Sequence, residues 1–181
     1  RLDFRAKGIV TGIVLAASMF PGIALVTPLF QLFGDLGWIG TYRALIIPNI
    51  SFALPLTIYT LVSFFRQLPW ELEEAARVDG ATRGQAFRLV LLPLAAPALF
   101  TTAILAFIAT WNEFMLAKQL SSNATEPVTV AIARFSGPSA FEYPYAAIMA
   151  AGTLVTIPLV IMVLVFQRRI VAGLTAGGVK A

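Results

Sequence analysis

The sequence predicts an all-α protein, a polytopic bundle of transmembrane helices with a helical cytoplasmic loop, and three observations predict it. Hydrophobic residues make up 59% of the 181 residues and charged ones only 12%, with a mean hydropathy of +0.84. A soluble domain averages roughly 45–50% apolar and about 25% charged residues, and one of this size could not hide the excess from water. Four uncharged stretches are each long enough to cross about 30 Å of hydrocarbon, which takes about 20 helical residues. The basic residues, finally, are shared unequally among the segments that join those stretches.

The four stretches run over 8–33, 44–65, 89–110 and 143–166. Backbone groups in lipid must be paired within the segment, so each is expected to be helical. Prolines interrupt all of them: Pro21 and Pro28, Pro48 and Pro55, Pro93 and Pro97, then Pro158. Each removes an N–H and bends its helix. Ahead of the first stretch, residues 1–7 form a charged lead-in. A signal peptide would have a shorter apolar core ending in a small-residue cleavage site. With no starting Met, the chain is expected to begin inside a longer protein.

An even number of spans puts the N-terminus, the 66–88 loop and the 167–181 tail on one side. That side holds ten basic residues: Arg1, Arg5, Lys7, Arg66, Arg77, Arg83, Arg88, Arg168, Arg169 and Lys180. The other holds three, Arg43, Lys118 and Arg134. The positive-inside rule makes the first side cytoplasmic, so both chain ends are expected in the cytoplasm. Segments 34–43 and 111–142 then face outward. Within the second, 121–127 reads as a turn, 128–133 as a short extended or re-entrant stretch, and Gly137-Pro138 as a break. The whole chain reads as one transmembrane domain.

Composition also excludes functions. Without cysteine or histidine there is no disulfide framework or Cys-based metal site, and the commonest general base is missing. A phosphate-binding glycine-rich loop with its lysine is absent too. No catalytic or metal site is therefore expected in this chain. The net charge of +4 lies beside apolar spans rather than on a soluble face, which argues against nucleic acid.

The 66–88 loop carries the clearest helix grammar. Pro69 suits a first helical turn, where its missing N–H would be unpaired anyway. Glu71, Glu73 and Glu74 follow, where negative charge meets the positive end of the helix dipole. Leu72, Ala75, Ala76 and Asp79 continue at helical spacing, and Gly80 is placed to close the helix in a left-handed conformation. Thr82 with Gln85 matches a capping box, opening a second helix through Phe87 and Leu91 into the third span. These residues by themselves fit a docking helix and a solvated charged connector equally well.

A resemblance separates the two. Glu74-Ala75-Ala76-Arg77-Val78-Asp79-Gly80-Ala81, then Phe87, then Leu91-Leu92-Pro93-Leu94-Ala95-Ala96-Pro97 resembles the EAA loop of binding-protein-dependent ABC importer permeases. The pattern there is E-A-A-x-x-D-G-A, a spacer, an apolar residue, L-P and a further P. Trp111-Asn112-Glu113-Phe114 and the tail from Phe166 to Lys180 are similar to the sugar-importing branch, of maltose and glycerol-phosphate type. Met19-Phe20-Pro21 and the segment from Leu25 to Phe30 resemble the permeases of actinobacterial (mycobacterial) trehalose importers. Such permeases have the type I ABC importer fold with six spans. The four here resemble the last four, so two N-terminal spans are expected to be absent.

The resemblance implies a permease subunit of the cytoplasmic membrane, in contact with lipid. Its implied partners are a second permease subunit in a heterodimer, two ATPase subunits beneath, and a solute-binding protein outside. Its implied cargo is a sugar, trehalose or a related disaccharide. ATP and Mg would be held by the partner ATPases, with no cofactor in this chain. The helix over 74–84 would dock on one ATPase, with Glu74, Ala75, Ala76, Asp79, Gly80, Ala81, Phe87 and Pro93 as the coupling residues. The tail after Gln167 either contacts the ATPase or, with Gly173, Gly177 and Gly178, forms a flexible end.

For the sugar path the candidates are Asn49, Tyr59, Trp111, Asn112 and Glu113. Ser51, Thr57, Thr101, Thr102 and Thr110 are further polar positions in the second and third spans. Polar groups in a span face the bundle interior or pair with neighbouring helices. The Trp111 cluster equally fits an interfacial aromatic belt. Two other classes compete with a permease. An ion-coupled secondary transporter would want charged groups inside the spans, where there are none. A non-conducting structural membrane subunit would leave the 74–97 pattern unexplained.

Overall fold

The structure, a computed structural model, describes residues 5–135 and 144–176, and of 168–176 the helix alone. Helix α1 (Lys7–Ser18) is followed by a 3₁₀ turn (Gly22–Leu25), α2 (Val26–Asp35) and α3 (Tyr42–Gln67). Next come α4 (Glu71–Val78), α5 (Arg83–Ala86), a π-helical turn (Phe87–Leu91) and α6 (Leu92–Trp111). The order closes with α7 (Met115–Leu120), α8 (Val128–Ala133) and α9 (Tyr145–Ala176). Among the described residues there is no strand, as an all-α membrane bundle requires.

Three of these helical runs are long and apolar enough to cross a membrane, or four if the broken pair α1 and α2 counts as one span. The first span expected over 8–33 is therefore not one helix. Its break falls at Met19–Pro21, where Pro21 has no N–H to continue the ladder. Its φ of −67° and ψ of 117° are extended rather than helical. The second and third spans extend beyond the expected bounds, because Tyr42, Arg43 and the π-turn join the helices. Residue 143, at the start of the fourth expected span, and Gly137-Pro138 lie outside the described residues. Helix α9 continues to Ala176, so Gly173 is helical rather than part of a flexible end; Gly177, Gly178 and Lys180 lie outside the described residues.

The segment after Trp111 differs more. The 128–133 stretch, expected to be extended or re-entrant, is the short helix α8. Pro127 precedes it in an extended conformation (φ −68°, ψ 155°), and its carbonyl accepts from Val130 and Ala131, both at 3.0 Å. Helix α7 was not expected at all.

The chain divides into two compact units. One takes in the described residues of Arg1–Ala17, Pro55–Ala106 and Phe166–Ala181, the other those of Ser18–Leu54 and Phe107–Val165. In the first, a stripe of Ala86, Leu91, Ala95, Ala98, Thr101 and Thr102 is almost fully buried along α5, the π-turn and α6. Small residues along a stripe let helices approach closely. Thr101 and Thr102 donate their hydroxyls to the carbonyls of Pro97 (3.0 Å) and Ala98 (2.7 Å) on their own helix. They are therefore packing positions rather than exposed polar ones.

In the second unit the core joins Phe33, Ala44, Leu116 and Leu120, with Trp38 and Leu45 packed against it. The Phe33 and Trp38 rings stack at 5.6 Å. Gly40 ties two loops together: its N–H donates to the Leu120 carbonyl at 2.8 Å. Its own carbonyl accepts from the hydroxyls of Ser122 and Thr125, both at 3.2 Å.

Candidate functional site

The first unit carries the segment expected to couple to an ATPase. Helix α4 starts at Glu71, so Pro69 lies just ahead of it rather than in its first turn, and Trp70 takes the cap position. Its three glutamates Glu71, Glu73 and Glu74 do occupy the first turn, next to the unpaired N–H groups and the positive end of the dipole. The helix ends in a complete Schellman motif. Ala81 N donates to the Ala76 carbonyl at 3.0 Å and Gly80 N to that of Arg77 at 3.1 Å. This closure needs a left-handed residue at Gly80, whose φ is +88°. The second helix opens as the sequence indicated, with a capping box between Thr82 and Gln85.

Glu71, Glu74, Ala75 and Val78 are all exposed and fall at i, i+3, i+4 and i+7, on one face of α4. Leu72, Glu73 and Ala76 are half-buried. Asp79 and Gly80 are exposed at the end of the helix, and Ala81 is half-buried. Of the expected coupling residues, then, Glu74, Ala75, Asp79 and Gly80 are open to a partner, whereas Ala76 and Ala81 close the turn. Phe87 packs its ring 5.9 Å from that of Phe65 yet stays 47% exposed. Pro93 is exposed on the first turn of α6, where a missing N–H is tolerated by the π-turn before it.

Sequence reasoning missed Val78, which is 87% exposed at the C-terminal end of the open face. The signal was an aliphatic residue four positions after Glu74, on the same helical face.

The second unit carries a cavity of about 630 Å³ between α3, the end of α6 and the start of α8. Asn49, Trp111 and Glu113, three of the five sugar-path candidates, line it together with Phe107, Thr110 and Thr129. Tyr59 belongs to the other unit and Asn112 is not among the lining residues. Asn112 instead donates its amide to the Ile108 carbonyl at 2.7 Å.

Glu113 has a structural task as well. Its two carboxylate oxygens accept the N–H groups of Leu116 (2.8 Å) and Ala117 (2.9 Å), which would otherwise be orphan donors at the start of α7. The Thr129 hydroxyl donates to the Glu113 carbonyl at 3.2 Å, anchoring α8 to the same turn. Asn49 donates its amide to the Leu45 carbonyl at 2.9 Å.

Comparison with known proteins agrees with this architecture. The sequence profile of the binding-protein-dependent transport system inner membrane component family matches residues 1–175. The chain is 54% identical over 181 residues to the trehalose transport system permease protein SugB of Mycobacterium tuberculosis, covering 99% of this chain and 66% of that one. It is 48% identical over 181 residues to the trehalose/maltose transport system permease protein MalG of Thermococcus litoralis, covering 99% and 65%. A third relative is the sulfoquinovosyl glycerol transport system permease protein SmoH of Agrobacterium fabrum, 40% identical with 99% and 63% covered. The chain thus spans just under two thirds of the length of these relatives. With residues 1–175 matched, the chain belongs to the family of binding-protein-dependent transport system inner membrane components.

Proposed function

We propose that this chain is a translocating subunit of an ABC importer for a sugar, with trehalose or a related disaccharide as cargo. The observation that carries the reading is the open face of α4, Glu71, Glu74, Ala75 and Val78, held at a fixed angle by the Gly80 turn and the Thr82 cap. Charged groups at one end and an aliphatic residue at the other suit a groove on a partner protein. Val78, 87% exposed, would add an apolar contact to such a groove. The printed names of two relatives, a trehalose permease and a trehalose/maltose permease, support the cargo.

On this reading an ATPase subunit receives α4 on the cytoplasmic side, and closure of two ATPases moves this chain and a second permease subunit. ATP and Mg are bound by the ATPases, since this chain has no phosphate-binding loop. A solute-binding protein delivers the sugar from outside, and both chain ends lie in the cytoplasm. Deleting the gene is expected to abolish uptake of labelled trehalose or of maltose; unchanged uptake of both would remove the sugar assignment. Gly80→Asp is expected to abolish uptake while the protein stays in the membrane at normal abundance. Wild-type uptake by that variant counts against docking through α4.

A further inference from the structure

The cavity beside Asn49 and Trp111 carries an inference that rests on the sugar reading and deepens it. We infer that this chain itself holds the sugar there, and that the ligand it takes is a neutral glycoside rather than a sugar phosphate or sulfonate.

The size suits it. Small-molecule pockets run from about 300 to 1,000 Å³, and this one is about 630 Å³. Its lining is mostly aliphatic and aromatic, with Asn49, Thr110, Glu113 and Thr129 as polar groups. Phe107 and Trp111 sit one turn apart on α6 with ring centroids 5.3 Å apart, and Phe107 is 43% exposed. Such rings offer flat apolar surface to the C–H faces of a pyranose, while polar groups at the edge meet the hydroxyls. Asn49 uses its amide N–H on its own helix, which leaves Oδ1 to accept from a ligand hydroxyl. The Glu113 carboxylate oxygens each hold one backbone amide and keep further lone pairs for the same purpose.

One group has no partner at all. The Trp111 Nε1–H is buried without an acceptor, a deficit that disfavours the ligand-free arrangement. The ring must turn for a ligand to reach it, and an arriving ether or hydroxyl oxygen supplies the acceptor that favours the turn. A lipid chain would leave that donor unpaired, so it fits less well. Charge sets the class. Among the described residues no Lys or Arg lines the cavity and a carboxylate does, so an anionic ligand would meet a like charge there and no counter-ion.

The test is equilibrium binding of labelled trehalose to the assembled, membrane-embedded transporter without its binding protein. Saturable binding is expected, displaced by unlabelled trehalose but not by glycerol phosphate at the same concentration. Trp111→Phe keeps a ring and removes the N–H; Asn49→Leu keeps the volume and removes the amide from a different helix. Each is expected to raise Kd about tenfold, the scale of one buried hydrogen bond. No saturable binding by the wild type overturns the inference, as does an unchanged Kd in both variants, the result for a cavity that holds lipid or a partner helix. Displacement by glycerol phosphate as strong as by trehalose overturns the neutral class. Trehalose uptake by intact cells separates the two levels: normal wild-type uptake with unchanged variant Kd removes only the cavity, while absent uptake removes the sugar reading itself.

Discussion

Thr82 and Gln85 hold each other. The Gln85 side-chain oxygen accepts from Thr82 N at 2.8 Å, and Gln85 N donates to the Thr82 hydroxyl at 3.3 Å. The pair begins the helical run that continues through the π-turn into α6, so it fixes where the loop ends and the span starts. Thr82→Ala is expected to cost about 1 kcal/mol and to speed amide exchange at Gln85 roughly fivefold. Thr82→Ser is expected to restore protection, because the serine hydroxyl can accept the same bond. Hydrogen exchange on the membrane-embedded protein measures both, and equal exchange in Thr82→Ala and wild type would show that the box does not hold the helix start.

Glu113→Ala removes the acceptor for two amides at the start of α7. The expected loss is about 1–3 kcal/mol of local stability, read as a lower midpoint in thermal unfolding of the purified protein. Glu113→Gln is expected to recover part of it, since only one of its side-chain terminal atoms can accept. A Gln variant as unstable as the Ala variant would point to the charge rather than to the hydrogen bonds.

Gly40→Ala is expected to destabilise the second unit twice over. The φ of +78° is unfavourable for any L-residue, and the new Cβ would lie 3.0 Å from the Ser122 Cβ. The left-handed conformation alone costs roughly 1–2 kcal/mol. A lowered unfolding midpoint, and faster protease cleavage in the 121–126 loop that Gly40 anchors, are the expected results. An unchanged midpoint would mean that the loop is held by other bonds.

The local grammar of the 66–88 loop was legible because each signal acts within a few residues. Gly80 must be left-handed for Ala81 to reach Ala76, and Thr82 meets Gln85 across one turn, so neither needs a distant neighbour. The apolar spans were legible for a different reason: hydrocarbon imposes its length on any helix that crosses it. Helix ends away from a glycine or a cap were less clear, which is why Pro69 fell outside α4 rather than inside it.

The sequence by itself thus determined the membrane class, most of the helical runs, the caps of the 66–88 loop and the family resemblance that the profile match bears out. Only the tertiary structure decided which residues meet. Asn49 and Trp111 are far apart in the chain, and nothing local marks them as sharing a cavity that excludes Tyr59 and Asn112. In an apolar span every face looks alike in composition, so neighbouring helices choose the buried one: Thr101 and Thr102 are packed away, and Phe107 is left open. Glu113 shows the same limit, since its charge is visible in the sequence but the two amides it caps exist only once α7 has formed.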